Sequence, residues 1–170
     1  MTDFERALAV TLQFEGGYVD HPKDPGGATN RGVTTRVFHE WLRSQGSLPR
    51  DVRTITDAEI HAIYLGDYWR PAGCDGLAWP LSLVVFDAAV NLGVRHAVRA
   101  LQRGLGVPDD GVIGPVTLDA IQAADARELA ARALWERLRR YKDVSGGQLS
   151  VFLRGWLSRT LTLWDEVRAA

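Results

Sequence analysis

Helix starts and stops recur along almost the whole of this 170-residue sequence and leave little room for anything else. Thr2 with Glu5, and Thr56 with Glu59, have the spacing of a capping box, in which a hydroxyl and a carboxylate satisfy backbone N–H groups that a helix start leaves unpaired. Phe4, Leu8 and Leu12 recur every four residues, which predicts a first helix over 3–15. Thr34 or Thr35 can cap a second helix that buries Val37, Phe38, Trp41 and Leu42 and ends at Gly46. Pro80 suits the first turn of the most apolar helix, about 81–92, because proline lacks only an N–H that would be unpaired there. Helix 94–105 carries Ala97, Val98, Leu101 and Leu105 before Gly106, Pro115 opens a short helix, and Asp125 with Glu128 caps the next. A last helix runs from about 149 to 168, where the spacing of Trp156 and Trp164 predicts core positions. The predicted class is mainly α, with seven or eight helices and a small hairpin or loop in the glycine- and proline-rich stretch 16–34.

Composition removes several classes of function. The chain has 20 basic and 21 acidic side chains, a net charge of −1, which argues against a general nucleic-acid binder. A lone cysteine, Cys74, excludes an internal disulfide and a CxxC site. His21, His39, His61 and His96 are dispersed, and no glycine run has phosphate-loop spacing, so neither a metal nor an organic cofactor is expected. No apolar run approaches the ~18–20 residues of a membrane span. The first residues are acidic and amphipathic without a signal-peptide pattern, so synthesis in the cytoplasm is the expectation.

One residue breaks the pattern of the first helix. Continuing its apolar stripe lands on Glu15, in what would be the last turn, where the helix dipole opposes negative charge. A general acid whose protonated form is favoured fits that position, as does a solvated residue at a frayed end. The dipole is worth roughly 0.3–1 kcal/mol, so burial would have to supply most of any shift. After Glu15 the chain runs Gly16-Gly17-Tyr18-Val19-Asp20 and on through Asp24, Thr29 and Asn30 to Thr34. Its glycines and prolines restrict the turn path and let a ligand approach the backbone, and Asp24, Thr29 and Asn30 can return toward Glu15. A glycosidase needs such a set: one carboxylic acid to protonate the leaving oxygen, and a second polar group to orient water or stabilise the oxocarbenium-like transition state. Asp20 and Asp24 also have a local reading as turn formers.

The run from Phe14 to Thr34, with its E-G-G-Y, D-P-G-G and T-N-x-G-V-T elements, resembles the N-terminal signature of glycoside hydrolase family 108, lysozyme-like muramidases that act on bacterial peptidoglycan. The resemblance implies a lysozyme-like α+β fold and makes Glu15 the catalytic acid. The spacing is also similar to that of phage-type lysozymes, in which Asp follows the Glu by nine residues and Thr follows the Asp by six. Asp24 meets the first interval, Thr29 falls one short of the second, and Asn30 stands at the expected position. Glu15, Asp24 and Thr29 are therefore the candidate catalytic residues, with Tyr18 and Asn30 as candidate substrate-binding residues.

Further on, Leu101-Gln102-x-x-Leu105-Gly106-x-x-x-Asp110-Gly111-x-x-Gly114-x-x-Thr117 resembles the peptidoglycan-binding segment that follows the catalytic one in such proteins. Taken singly, these residues read equally well as a helix–turn–helix connection. Leu92-Gly93-Val94 is too short and apolar for a linker, so the expectation is one compact unit over 1–170, with a catalytic segment 1–93 and a helical segment 94–170. Tyr68 and Trp69 could line a saccharide groove or close the core. Asp87 and Asn91, polar residues one turn apart in the most apolar helix, either tie to a neighbouring helix or face a cleft that takes substrate.

The expected function is a muramidase that cleaves between N-acetylmuramic acid and N-acetylglucosamine, with peptidoglycan as its partner and no nucleic acid, membrane insertion or oligomer implied. The expected setting is that of a phage-type endolysin released through a holin. A non-catalytic peptidoglycan-binding module and a lytic transglycosylase are the alternatives. Residues 127–159 hold eight basic side chains against three acidic ones, which reads either as a surface for an anionic polymer or as a solvated helix face.

Overall fold

A computed structural model describes residues 1–20, 27–144 and 149–170, with side chains described outside 142–153. The first helix, α1 (Asp3–Thr11), starts as its sequence requires: the Thr2 N–H donates to Glu5 Oε2 at 2.8 Å and the Glu5 N–H donates to Thr2 Oγ1 at 3.2 Å. It ends four residues earlier than its periodicity predicts. Past Thr11 the backbone tightens to three-residue bonds, Gln13 N–H to Val10 O and Phe14 N–H to Thr11 O, and Glu15 stands at a bend. Two successive glycines follow, each costing about 1 kcal/mol relative to alanine inside a helix, so the chain leaves the helix before reaching them.

The stretch after Glu15 forms the expected hairpin. Strands β1 (Thr29–Asn30) and β2 (Val33–Thr34) pair antiparallel, Thr29 with Thr34 and Asn30 with Val33. Arg31 and Gly32 make the turn with φ of 48° and 78°, and two successive positive φ values give the turn whose twist suits a two-residue hairpin. On the other edge Val19 and Thr29 exchange two backbone hydrogen bonds of 2.8 Å, which draws the residues after Glu15 alongside β1. Thr34 then caps α2 (Thr35–Ser44), accepting from the Val37 N–H, and the helix buries Phe38 and Leu42 while Val37 and Trp41 stay half-buried. A single 3₁₀ turn, Val52–Thr54, leads to α3 (Asp57–Tyr64), whose Thr56–Glu59 capping box is complete. A π-helical turn, Leu65–Trp69, follows.

The remaining helices are α4 (Leu81–Leu92), α5 (Val94–Leu105), α6 (Pro115–Ala123), α7 (Ala126–Val144) and α8 (Leu149–Ala169). Residues 81–89 of α4 are all buried, and α5, α7 and α8 pack around it. The chain groups into two units, one of Leu8–Asp67 and one of Met1–Ala7 with Tyr68–Ala170. These borders fall inside α1 and the π turn. A helix buried on every side must be covered all round, and α4 takes most of that cover from α5, α7 and α8, with Phe4 and Trp69 against Phe86.

In the larger unit Phe4, Trp69 and Phe86 meet edge to face with centroids 5.3–5.7 Å apart. Asp87 sits wholly buried between two buried arginines, Arg137 of α7 and Arg159 of α8. Tyr141 stacks flat on Trp156 at 4.6 Å, whereas Trp164 is 41% exposed and not the core residue its spacing predicts. Cys74 is buried, and burial, helped by Asp75, pushes its thiol up so that it stays neutral.

Candidate active site

The smaller unit brings the glutamate of the E-G-G element to the hairpin turn. A β-carbon placed on Gly32 would stand 3.0 Å from Glu15 Oε2 and 3.2 Å from its Cγ, and would collide with the Tyr64 hydroxyl. The acid and the phenol therefore converge on one point of backbone that has room for hydrogen only. The Tyr64 hydroxyl donates to Arg31 O at 2.9 Å, fixing the turn from the end of α3. The Arg31 guanidinium, in turn, pairs with Asp57 in the first turn of α3 and donates to Ile55 O. Strand twist, a buried phenol and an arginine thus hold the turn on which Glu15 rests.

Glu15 is half-buried, as the sequence suggests for an acid on an apolar stripe, but it stands beyond the end of α1 and not in its last turn. The helix dipole falls off within that turn, so the hairpin is its setting. Thr29 lies in β1, bonded through its backbone to Val19 on one side and paired with Thr34 on the other. Asn30 is next to it, its side-chain amide donating to Val52 O at 3.2 Å, so this amide anchors the strand to the 3₁₀ turn. Tyr18 is 40% exposed; its hydroxyl donates to Asp20 and the Arg53 guanidinium lies 5.3 Å from its ring centre. Arg53 also binds Asp51 and, through that side-chain bond, holds its carboxyl below the usual carboxylate range. Asp67, in the π turn, is held above that range by partial burial and by the negative charge of Glu40. Asp24 lies outside the described residues.

Three candidates belong to the larger unit, and two of them serve its core. Trp69 is 3% exposed, packs against Phe4 and Phe86, and donates its indole N–H to Asp75 at 2.7 Å, so its ring is not open to a sugar. Asn91 is half-buried, and its Oδ1 accepts from the Tyr141 hydroxyl at 2.8 Å and from Arg137 at 3.1 Å, which ties α4 to α7. Tyr68 is half-buried. The sequence reading does not single out Tyr64; the signal that could have found it is the rule that a buried phenol O–H needs a partner.

Known proteins match both segments of the chain. The family model described as glycosyl hydrolase 108 matches residues 8–93. The chain belongs to the glycosyl hydrolase 108 family. A second model, described as a predicted peptidoglycan domain, matches residues 96–161. Among solved structures, that of SagA from Brucella abortus is 34% identical, with a TM-score of 0.79 over 98% of this chain and 94% of that one. No curated protein matches. As a member of glycosyl hydrolase 108 with a peptidoglycan domain, the chain is a glycoside hydrolase that acts on peptidoglycan, with a mainly α, lysozyme-like fold. The motif of the second segment has a structural explanation. Gln102, 1% exposed, directs its amide at Asp110 Oδ1, Val112 O and Thr117 Oγ1 and accepts from the Gly111 N–H, so the residues of that motif form one hydrogen-bonded knot. Among the described residues no group of three or more His, Cys, Asp or Glu could hold a metal, and no helix is long and apolar enough to cross a membrane.

Proposed function

We propose that this family member is a muramidase that hydrolyses the bond between N-acetylmuramic acid and N-acetylglucosamine, with Glu15 as the general acid. The observation that carries this reading is the seat of the Glu15 carboxylate against Gly32, beside Tyr64, at the turn of the family's signature hairpin. A proton on Glu15 passes to the glycosidic oxygen as the bond to the anomeric carbon breaks, and water adds to the oxocarbenium-like centre and gives up a proton, which restores the acid form of Glu15. Thr29 and Asp24 are the proposed water-positioning groups. Thr29 has the support of a strand fixed on both edges next to the Gly32 turn. Tyr18 and Asn30 are the proposed saccharide contacts, and Tyr68 remains a candidate.

Glu15→Gln tests the assignment, because it keeps size and loses the proton. Turbidity clearance of purified cell walls should fall by about 100-fold or more, the scale of general acid catalysis, with an unchanged circular dichroism spectrum. A variant that clears walls near the wild-type rate would remove Glu15 from the mechanism. Mass spectrometry of released muropeptides tests the reaction itself: hydrolysis leaves reducing muramic acid, whereas a transglycosylase leaves the 1,6-anhydro product. Release of neither product despite binding to sacculi would make the protein a binding module.

A further inference from the structure

The basic surface read from residues 127–159 is rearranged by the fold. Arg137 and Arg159 are buried against Asp87 and contribute nothing to a surface. Other arginines gather instead where α5 meets α7. His96, Arg99 and Arg103, at positions i, i+3 and i+7 of α5, face Glu136, Arg139 and Arg140 of α7 across a cleft of about 270 Å³.

The charge in this cleft is unbalanced. Among the described residues Glu136 is its one carboxylate, and it is already engaged by Arg103 at 3.1 Å and Arg139 at 3.3 Å. Arg103 also reaches Asp109. Among the described residues no carboxylate pairs with Arg99 or Arg140; Arg140 lies 3.4 Å from His96 Nε2, and the buried Nε of Arg99 has no acceptor. Like charges gathered on one wall destabilise a fold unless an anion offsets them. The cleft adjoins a second depression of about 420 Å³ that shares Arg103 and Glu136 and is lined by Trp135, whose side chain is 63% exposed. A flat aromatic face beside guanidinium groups suits a polymer that carries both sugar rings and carboxylates.

We propose that the α5–α7 cleft binds the free carboxylates of peptidoglycan stem peptides, with Arg99 and Arg140 as the receiving groups. The proposal rests on the peptidoglycan reading above and adds to it a site outside the hairpin.

The test is a binding isotherm on purified sacculi, native or with their carboxylates converted to amides, for the wild type and for Arg99→Gln/Arg140→Gln. A charge-assisted hydrogen bond is worth enough that amidation, or the double substitution, should each weaken binding by about tenfold. Combined, they should weaken it little further, because both remove the same contact. Arg36→Gln/Arg43→Gln removes equal charge from α2 and should keep wild-type affinity and full sensitivity to amidation. If the double variant fails to fold, wild-type binding to amidated sacculi decides: unchanged affinity would overturn the proposal. So would a folded double variant that binds native sacculi as tightly as wild type, or one that loses a further tenfold on amidation. A wild type that neither binds nor degrades native sacculi would overturn the peptidoglycan reading itself, a distinct outcome.

Discussion

The carboxylate of Glu15 rests on Gly32, with Oε2 3.0 Å from where a β-carbon would stand. Gly32 is thus fixed twice over, by a φ of 78° and by two side chains that leave it no volume. Gly32→Ala should cost about 1 kcal/mol or more in stability through the positive φ. Displacing Glu15 by even an ångström should cost far more in rate, about 100-fold. Urea denaturation and wall-clearance assays on the same preparation check this. A variant that loses stability yet keeps its rate would show that the contact does not place the acid.

Asp87 predicts a specific pH dependence of stability. Burial alone would raise its carboxyl, but Arg137 and Arg159 overturn that and hold it below the usual carboxylate range. A folded-state value below the unfolded one, about 3.9, stabilises the fold above that pH, and the contribution is lost as pH falls through the folded value. Asp87→Asn leaves two buried guanidiniums short of their anion, which should cost about 3–5 kcal/mol at pH 7. The gap between the wild-type and variant urea midpoints should narrow by pH 3. A gap of equal width at both pH values would refute the linkage.

Gln102 carries a prediction about the second segment. Gln102→Leu keeps the volume but leaves the Gly111 N–H, the Thr117 hydroxyl and Val112 O short of partners inside the helix–turn–helix connection. Of these residues Thr117 is buried, Gly111 half-buried and Val112 exposed, and an unsatisfied buried group costs about 1–3 kcal/mol, so a midpoint shift equivalent to about 1–3 kcal/mol is expected. Thermal unfolding checks it, and a shift below about 1 kcal/mol would mean that the knot is held by other contacts.

Sacculus binding should weaken with salt. The arginines of the α5–α7 cleft are only partly buried, and exposed charges are screened over about 8 Å at physiological ionic strength. Affinity should fall measurably between about 20 mM and physiological salt in a co-sedimentation assay. The slope should be shallower for Arg99→Gln/Arg140→Gln. Equal slopes would place the electrostatic attraction elsewhere.

Helix boundaries were legible in the sequence because their causes are local. The capping boxes at Thr2 and Thr56, the Thr34 cap, the Asp125 side chain accepting from the Glu128 N–H and the start of α6 at Pro115 each depend on residues within one turn. The hairpin at T-N-x-G-V-T was legible for the same reason, and so was the Glu that precedes it. Where α1 stops was misread, because the apolar stripe continues past the point at which the backbone leaves the helix.

The sequence by itself determined a mainly α chain, most of its helix ends, a hairpin after the first helix and an acid that does not belong to a core. Only the tertiary structure decided what that acid rests on and which charges reach the surface. Arg137 and Arg159 looked like members of a basic face until Asp87, 50 and 72 residues away, took them into the core. Trp69 and Asn91 looked like groove residues until Phe86 and Tyr141 claimed them. Capping is written within four residues of the helix it starts, but the pairing of a buried charge depends on which distant helix is packed beside it. No local pattern encodes that partner.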